Sequence, residues 1–355
     1  MNERTHLNRL DHIRFYAASI VVFYHFRGKV YDMSEGLLSI KSTLAAWINN
    51  GATGVSLFLV MSGFLFCIIS GEGSKKINYL RFLQNRILRI FPLLTVVFFT
   101  IICVTRSTSS PEDIFRLLTL QLNTGPFNDK IFPVGPIWTI AVEFQFYLIF
   151  PFLALFLNKY GYKHIVLLIA CAIIIKLGIV TIKGEGQFGN LYNTITGRLD
   201  QFLIGILFGL IHNRIDNIKY LNNRTIKLIS LAASLIALTS YFMIDKSLWF
   251  KSVVGFTIEG VLWGWFIVSY LKMPVTIYHR FDSLLCNLGT ISFSMYLLHF
   301  PIGEALKASG IITRSGLTYV ESTALIILPV VMIVSTMTYH AIEKPFLSMK
   351  VRYLG

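Results

Sequence analysis

The 355 residues are 54% hydrophobic and 14% charged, with a mean hydropathy of +0.64, which is too apolar for a soluble globular protein. The formal net charge of +14 does not point to nucleic acid, because the basic residues sit at the ends of apolar segments and form no block. What remains is an integral membrane protein whose Lys and Arg residues set its orientation.

Apolar runs near the ~20 residues that cross a bilayer fall at roughly 10–29, 51–70, 88–105, 136–157, 164–182, 196–212, 226–244, 252–271, 284–303 and 321–341. They predict an all-α polytopic bundle of about ten transmembrane helices, with the whole of 1–355 as one transmembrane domain. The first run carries Asp11, Arg14 and His25 and leads into no small-residue cleavage site, so it reads as a retained span and not as a signal peptide. Arg14 and His25 would project from one helix face, separated by about 16 Å along the axis. Ionisable groups inside a span usually face a polar cavity or pathway; the plainer alternative is a snorkelling Arg14 and an interfacial His25.

The segments between spans, the longest being about 27–50 and 106–135, are too short to bury a core of their own. With the N-terminus inside, the inner segments are the more basic, among them the one holding Lys75, Lys76, Arg81, Arg86 and Arg89. That bias predicts cytoplasmic termini at both ends. No inverted repeat of the kind found in many transporters is evident. Cys67, Cys103, Cys171 and Cys286 show neither CxxC nor metal-type spacing, so they read as buried, inert thiols and no metal site is expected.

Counting ~1.5 Å per residue from the span ends sorts the polar residues into two levels. His25, Glu143, Arg198, Asp200, Glu259 and His299 fall in the outer half, and Asp11, Arg14, Arg86, Arg89, His340 and Glu343 in the inner half. The outer set offers an imidazole and carboxylates, as general-base removal of a hydroxyl proton requires. The inner set is dominated by Arg, whose fork suits phosphate oxygens, although Arg86 and Arg89 could equally be positive-inside anchors. Two polar levels imply two substrates on two sides.

Several local patterns then combine. Leu10-Asp11-His12-Ile13-Arg14 precedes His25; Gly54 to Phe64 reads GVSLFLVMSGF; Arg86-Ile87-Leu88-Arg89 leads into Ile90-Phe91-Pro92. Gly135-Pro136-Ile137-Trp138-Thr139 runs on to Glu143 and Tyr147, Gly197-Arg198-Leu199-Asp200 opens the sixth run, Ile291 to Pro301 reads ISFSMYLLHFP, and Glu343-Lys344-Pro345-Phe346 closes the series. In this order, nearly end to end, the chain resembles the membrane-bound acyltransferase-3 family, which includes O-acetyltransferases of bacterial surface polysaccharides and Nod factors. The resemblance implies a multi-pass enzyme of the bacterial cytoplasmic membrane with acyl-CoA as co-substrate on the inner side, a carbohydrate acceptor beyond it, and no permanently bound cofactor. It puts His25 at the catalytic position and Arg14, Arg86 and Arg89 at positions that handle acyl-CoA. Many relatives also carry an SGNH-type domain; this chain runs only about a dozen residues past Glu343, so a step needing that domain is expected to be absent or supplied by a partner.

Depth and chemistry add further expectations. Glu143 is the candidate to orient the His25 imidazole, and Asp11, ~20 Å down the same helix, is better placed to support Arg14 on the donor side. Arg198, Asp200 and His299 are candidate acceptor-binding residues, with Trp138 and Tyr296 as a wall on which a sugar would stack. The expected reaction is O-acyl transfer, acetyl in the first instance, to a carbohydrate hydroxyl. Its rival is a transporter or flippase for a lipid-linked sugar or small anion, whose pathway the same charges would line.

Overall fold

The apolar runs fold as helices whose ends follow local chemistry, as a computed structural model of residues 3–107, 109–123 and 137–355 shows. The elements are α1 (Glu3–Phe26), α2 (Ile40–Asn49), α3 (Thr53–Ile69), α4 (Tyr79–Val104), α5 (Pro111–Leu118), α6 (Trp138–Tyr160), α7 (Tyr162–Lys183) and α8 (Phe188–Tyr192). Then come α9 (Ile195–Arg214), α10 (Arg224–Met243), α11 (Leu248–Leu271), α12 (His279–Thr290), α13 (Ser292–Ala308) and α14 (Tyr319–Ser348). The side chain of Asn78 accepts from the Arg81 N–H and starts α4, satisfying one of its orphan donors. Gly161, at φ 72°, separates α6 from α7. The described residues hold no strand, only an isolated bridge between Ile77 and Leu354.

Among the described residues, seven helices are long and apolar enough to cross a membrane: α4, α6, α7, α9, α10, α11 and α14. The number rises to nine if two bent pairs, α2 with α3 at 68° and α12 with α13 at 64°, each count as one span. Nine of the ten expected spans coincide with these elements. The tenth, α1, is a helix of 24 residues, but Arg9, Asp11 and Arg14 keep it out of the apolar set. Residues 40–49, expected between spans, form α2 instead. Gly135 and Pro136 lie outside the described residues.

The centre of the bundle is α3 packed along α9. A Cβ on Gly63 would come 1.9 Å from the Phe202 carbonyl oxygen, and one on Gly205 would come 2.0 Å from that of Val60. Only glycine lets the two backbones approach this closely, as at small-residue interfaces in membranes. By contrast, α7 leaves Ile174, Ile175 and Ile182 exposed; such a surface belongs against lipid. Cys103 and Cys171, expected to be buried, are also exposed, while Cys67 is buried and Cys286 half-buried. Within α11 and α14 the chain widens into π-turns at 251–255, 323–327 and 339–343, a local feature frequent at functional sites.

Candidate active site

Two cavities lie one beyond the other along α1. The first, of about 110 Å³, is lined by Arg14 of α1, Ser62 of α3, Arg86 and Arg89 of α4, and Glu143 and Tyr147 of α6. Arg86 is packed among aromatic rings, its guanidinium carbon 5.0 Å from the Phe66 ring centre, 5.1 Å from Phe82, 5.5 Å from Tyr147 and 5.9 Å from Tyr353. Arg86 Nη2 donates to the Tyr353 hydroxyl at 3.4 Å. Its buried Nε–H has no hydrogen-bond partner among the described residues. A buried donor left unpaired is costly. Arg14 Nη1 donates to Asp11 Oδ1 at 2.7 Å.

The C-terminal tail returns to Arg86, one of the residues lining this cavity, in a way sequence reasoning missed. Asn85 and Val351 exchange hydrogen bonds at 2.7 and 3.0 Å, and the Asn78 N–H donates to the Tyr353 carbonyl at 2.9 Å. This strapping brings Tyr353 onto Arg86. It also brings Lys350 close to the arginines: partial burial of its ammonium, then the charges of Arg89, Arg86 and Arg14, push it down to about 8 although the residue as a whole is exposed. Nothing in the spacing of a short tail beyond the last span signals such a return.

The second cavity, of about 510 Å³, is lined by His25, Ser56, Trp138, Tyr192, Arg198 and Glu259 among others. Arg198 is buried between rings, its guanidinium carbon 3.9 Å from the Phe256 centre and 4.1 Å from Tyr192. Its Nε donates to the Tyr192 carbonyl at 2.9 Å, and Nη1 donates to Ser56 at 3.3 Å and Gln201 at 3.2 Å. Glu259 accepts from the Thr53 hydroxyl, which in turn accepts from Trp263 Nε1 at 2.7 Å. The site thus holds a fixed cation, a carboxylate, aromatic faces and an imidazole, a mixture suited to a polyhydroxylated molecule.

The imidazole of His25 is held by a second imidazole. His299 Nδ1 faces the Tyr296 carbonyl at 2.6 Å and must therefore carry the proton, which makes its Nε2 an acceptor. That Nε2 lies 3.2 Å from His25 Nδ1, which also faces the Val21 carbonyl at 3.0 Å and is therefore the donor. The tautomer follows from the hydrogen-bond network: His25 carries its proton on Nδ1 and keeps Nε2 unprotonated. His299 is fully buried and His25 only partly so, so the second ring serves as the anchor of the first.

Three expected placements differ, the first being His299, a candidate acceptor contact that lines neither cavity and instead holds His25. Glu143 does not orient His25; its carboxylate accepts from Ser62 at 2.9 Å and from the Tyr147 hydroxyl on the wall of the first cavity. Depth counting gives height along a helix but not the direction a side chain faces, and α6 turns Glu143 toward the arginines. Asp200 does not line the second cavity: fully buried, it pairs with Lys176 Nζ at 2.7 Å and accepts from Thr257. Lys176 was not visible as its partner, because it lies within an otherwise lipid-like helix. Of the inner set, Glu343 is buried and bonded by Ser294, whereas His340 is exposed.

Trp138 and Tyr296 do line the second cavity, and Tyr296 also borders the first. Val55 is the other residue common to both linings. The two compartments are therefore divided by a wall one side chain thick, in which the Thr139 hydroxyl donates to the Tyr296 hydroxyl at 2.8 Å.

A family profile described as an acyltransferase domain, acyltransferase-3, matches residues 7–339. The chain belongs to the acyltransferase-3 family. It is 25% identical over 327 residues to the O-acetyltransferase OatA of Staphylococcus aureus strain NCTC 8325, an alignment covering 84% of this chain and 50% of OatA. An uncharacterised protein of Haemophilus influenzae is 25% identical over 222 residues, covering 55% of this chain and 89% of that protein. The chain thus spans about half the length of the OatA relatives it matches. No solved structure matches it. Family and helices together make it a multi-pass membrane acyltransferase-3 protein.

Proposed function

We propose that this acyltransferase-3 protein is an O-acyltransferase that moves an acyl group, acetyl in the first instance, from acyl-CoA to a carbohydrate hydroxyl across the bacterial cytoplasmic membrane. In this reading all ten helices span, both termini are cytoplasmic, and the arginine cavity opens inward. The observation that carries it is the pair of back-to-back cavities: three guanidiniums on one side of the Val55 and Tyr296 wall, and an imidazole with a free Nε2 on the other.

About 110 Å³ holds the acyl end of a thioester, while the nucleotide stays at the mouth. There Arg86, Arg89 and Lys350 meet its phosphates with charge-assisted hydrogen bonds. At the Val55 and Tyr296 wall, where the acyl carbon reaches through from the first cavity, His25 Nε2 removes the acceptor's hydroxyl proton, the alkoxide forms its bond to the acyl carbon, and the carbon–sulfur bond breaks. The imidazolium returns the proton to the departing thiolate, so the CoA thiol and the ester are the products. The same Nε2 could carry the acyl group as an acyl-imidazole, which divides the transfer into two steps. Trp138 and Tyr296 offer the sugar its stacking surface, and Arg198 and Glu259 its polar contacts.

Acyl-CoA dependence tests this directly. Inside-out membrane vesicles given acetyl-labelled CoA should transfer label to endogenous glycan, and Arg86→Ala with Arg89→Ala should raise the apparent KM for acetyl-CoA at least about tenfold. Lys at both positions should rescue only in part, because planar two-point contact is lost. Transfer that ignores acetyl-CoA concentration, or full rescue by Lys, would remove these residues from donor binding.

Lys350 adds a pH signature. A lysine pushed down to about 8 is charged below that pH and neutral above it. Its attraction for phosphate is therefore lost as pH rises through 8. The apparent KM for acyl-CoA should climb between pH 7 and 9 in the wild type and stay flatter in Lys350→Met. Parallel profiles for the two proteins would exclude Lys350 from the donor site.

A further inference from the structure

Outside both cavities, His12, Asp282 and Cys286 bring three potential ligand atoms within 4.8 Å of one another. His12 comes from α1 and the other two from α12, some 270 positions away in sequence, so no local spacing could announce them. His12 Nε2 lies 3.5 Å from Asp282 Oδ1 and 3.3 Å from Cys286 Sγ. A tetrahedral zinc with ordinary bond lengths to N, O and S separates its ligands by about 3.4–3.6 Å. The two separations from His12 match that geometry, and the third lies within 4.8 Å.

The packing explains why. Asp282, Cys286 and Gly289 recur at helical intervals on one face of α12. A Cβ on Gly289 would stand 2.2 Å from the Asp11 carbonyl oxygen, so this face lies directly against α1. The other ring nitrogen of His12, Nδ1, faces the Tyr270 hydroxyl at 3.0 Å. A histidine that ligates through one nitrogen is usually fixed through the other by such an outer partner. Neighbouring Arg9 is occupied elsewhere, donating to the carbonyls of Met273 at 2.8 Å and Val275 at 2.5 Å.

We propose that His12, Asp282 and Cys286 form a site for one zinc-class divalent cation that fastens α1 to α12. The mixed N, O and S set selects zinc over magnesium or calcium, which prefer all-oxygen cages. On binding, Cys286 releases its proton to solvent and ligates as thiolate. Water takes the fourth corner. The ion holds the stretch of α1 that carries Asp11, just before His12, and Arg14, two residues beyond it, to the neighbouring helix.

The test uses the full chain purified in detergent, stripped by chelator and titrated with Co²⁺ and then Zn²⁺. One equivalent of Co²⁺ should give a sulfur-to-cobalt charge-transfer band and tetrahedral ligand-field absorption, both discharged by Zn²⁺. Cys286→Ser should lose the band, whereas Cys67→Ser, Cys103→Ser and Cys171→Ser together should keep it. His12→Gln, which preserves every thiol, should lose tight binding, and Tyr270→Phe should weaken it by about 10- to 100-fold. A wild-type protein without a saturable band overturns the site whatever the variants do, and so does a band that survives Cys286→Ser.

Discussion

His25→Ala should lower acyl transfer by about 10²- to 10⁴-fold, the usual contribution of a positioned general base, while leaving expression and membrane insertion intact. The imidazole is only partly buried and its ring partners are His299 and neighbouring aromatics, so its removal opens space without stranding a charge. Label transfer from acetyl-CoA in vesicles, normalised to protein, measures the loss. Activity within about tenfold of wild type would exclude both the base and the acyl-imidazole role. His299→Leu should act more mildly but move the pH profile of kcat, because an apolar side chain cannot accept from His25 Nδ1 as the ring does. An unmoved profile would reduce His299 to packing.

The largest stability effect should come from Lys176→Met. Lys176 and Asp200 are both wholly excluded from solvent and paired at 2.7 Å. Removing one partner of such a pair leaves an uncompensated buried charge and typically costs about 3–5 kcal/mol. The double replacement Lys176→Met with Asp200→Leu should recover most of that loss, since well-packed apolar residues often replace a buried pair at no cost. Unfolding of the reconstituted protein, followed by far-ultraviolet circular dichroism, gives the comparison. Equal stability of wild type and Lys176→Met would show that the pair contributes nothing. A double variant that is stable but inactive would instead assign Asp200 a part in the reaction.

Much of the helical frame is legible in the chain, because an apolar run of sufficient length has few options in a bilayer. The bends are not. The break between α2 and α3 depends on Gly51, where a Cβ would meet the Ile20 carbonyl oxygen at 2.4 Å, a contact that exists only once α1 is in place. For the site, Arg14, Arg86 and Arg89 converge on one cavity and His25, Trp138, Arg198 and Tyr296 on the other, because helical height and family pattern both survive folding. Glu143 and Asp200 went astray for one reason: direction around a helix depends on its neighbours, and sequence offers no signal for the rotation of α6 or for the approach of Lys176 from α7. His12, Asp282, Cys286, Lys350 and Tyr353 acquire partners only through tertiary approach.

The wall formed by Val55 and Tyr296 has an electrical consequence. A hydrated cavity conducts the potential of the solution it opens to, so voltage across a protein drops where water stops. If each compartment opens to its own side of the membrane, as the proposed function requires, the field that a bilayer ordinarily spreads over ~30 Å is compressed onto two side chains. A unit charge carried through it would feel about 2.3 kcal/mol for every 100 mV. An acyl group passed as a neutral thioester or ester feels none of this, whereas any step that carries net charge across the wall would make turnover depend on membrane potential. Voltage, applied to vesicles with an ionophore, thus becomes a reporter of the charge on whatever species crosses at Tyr296.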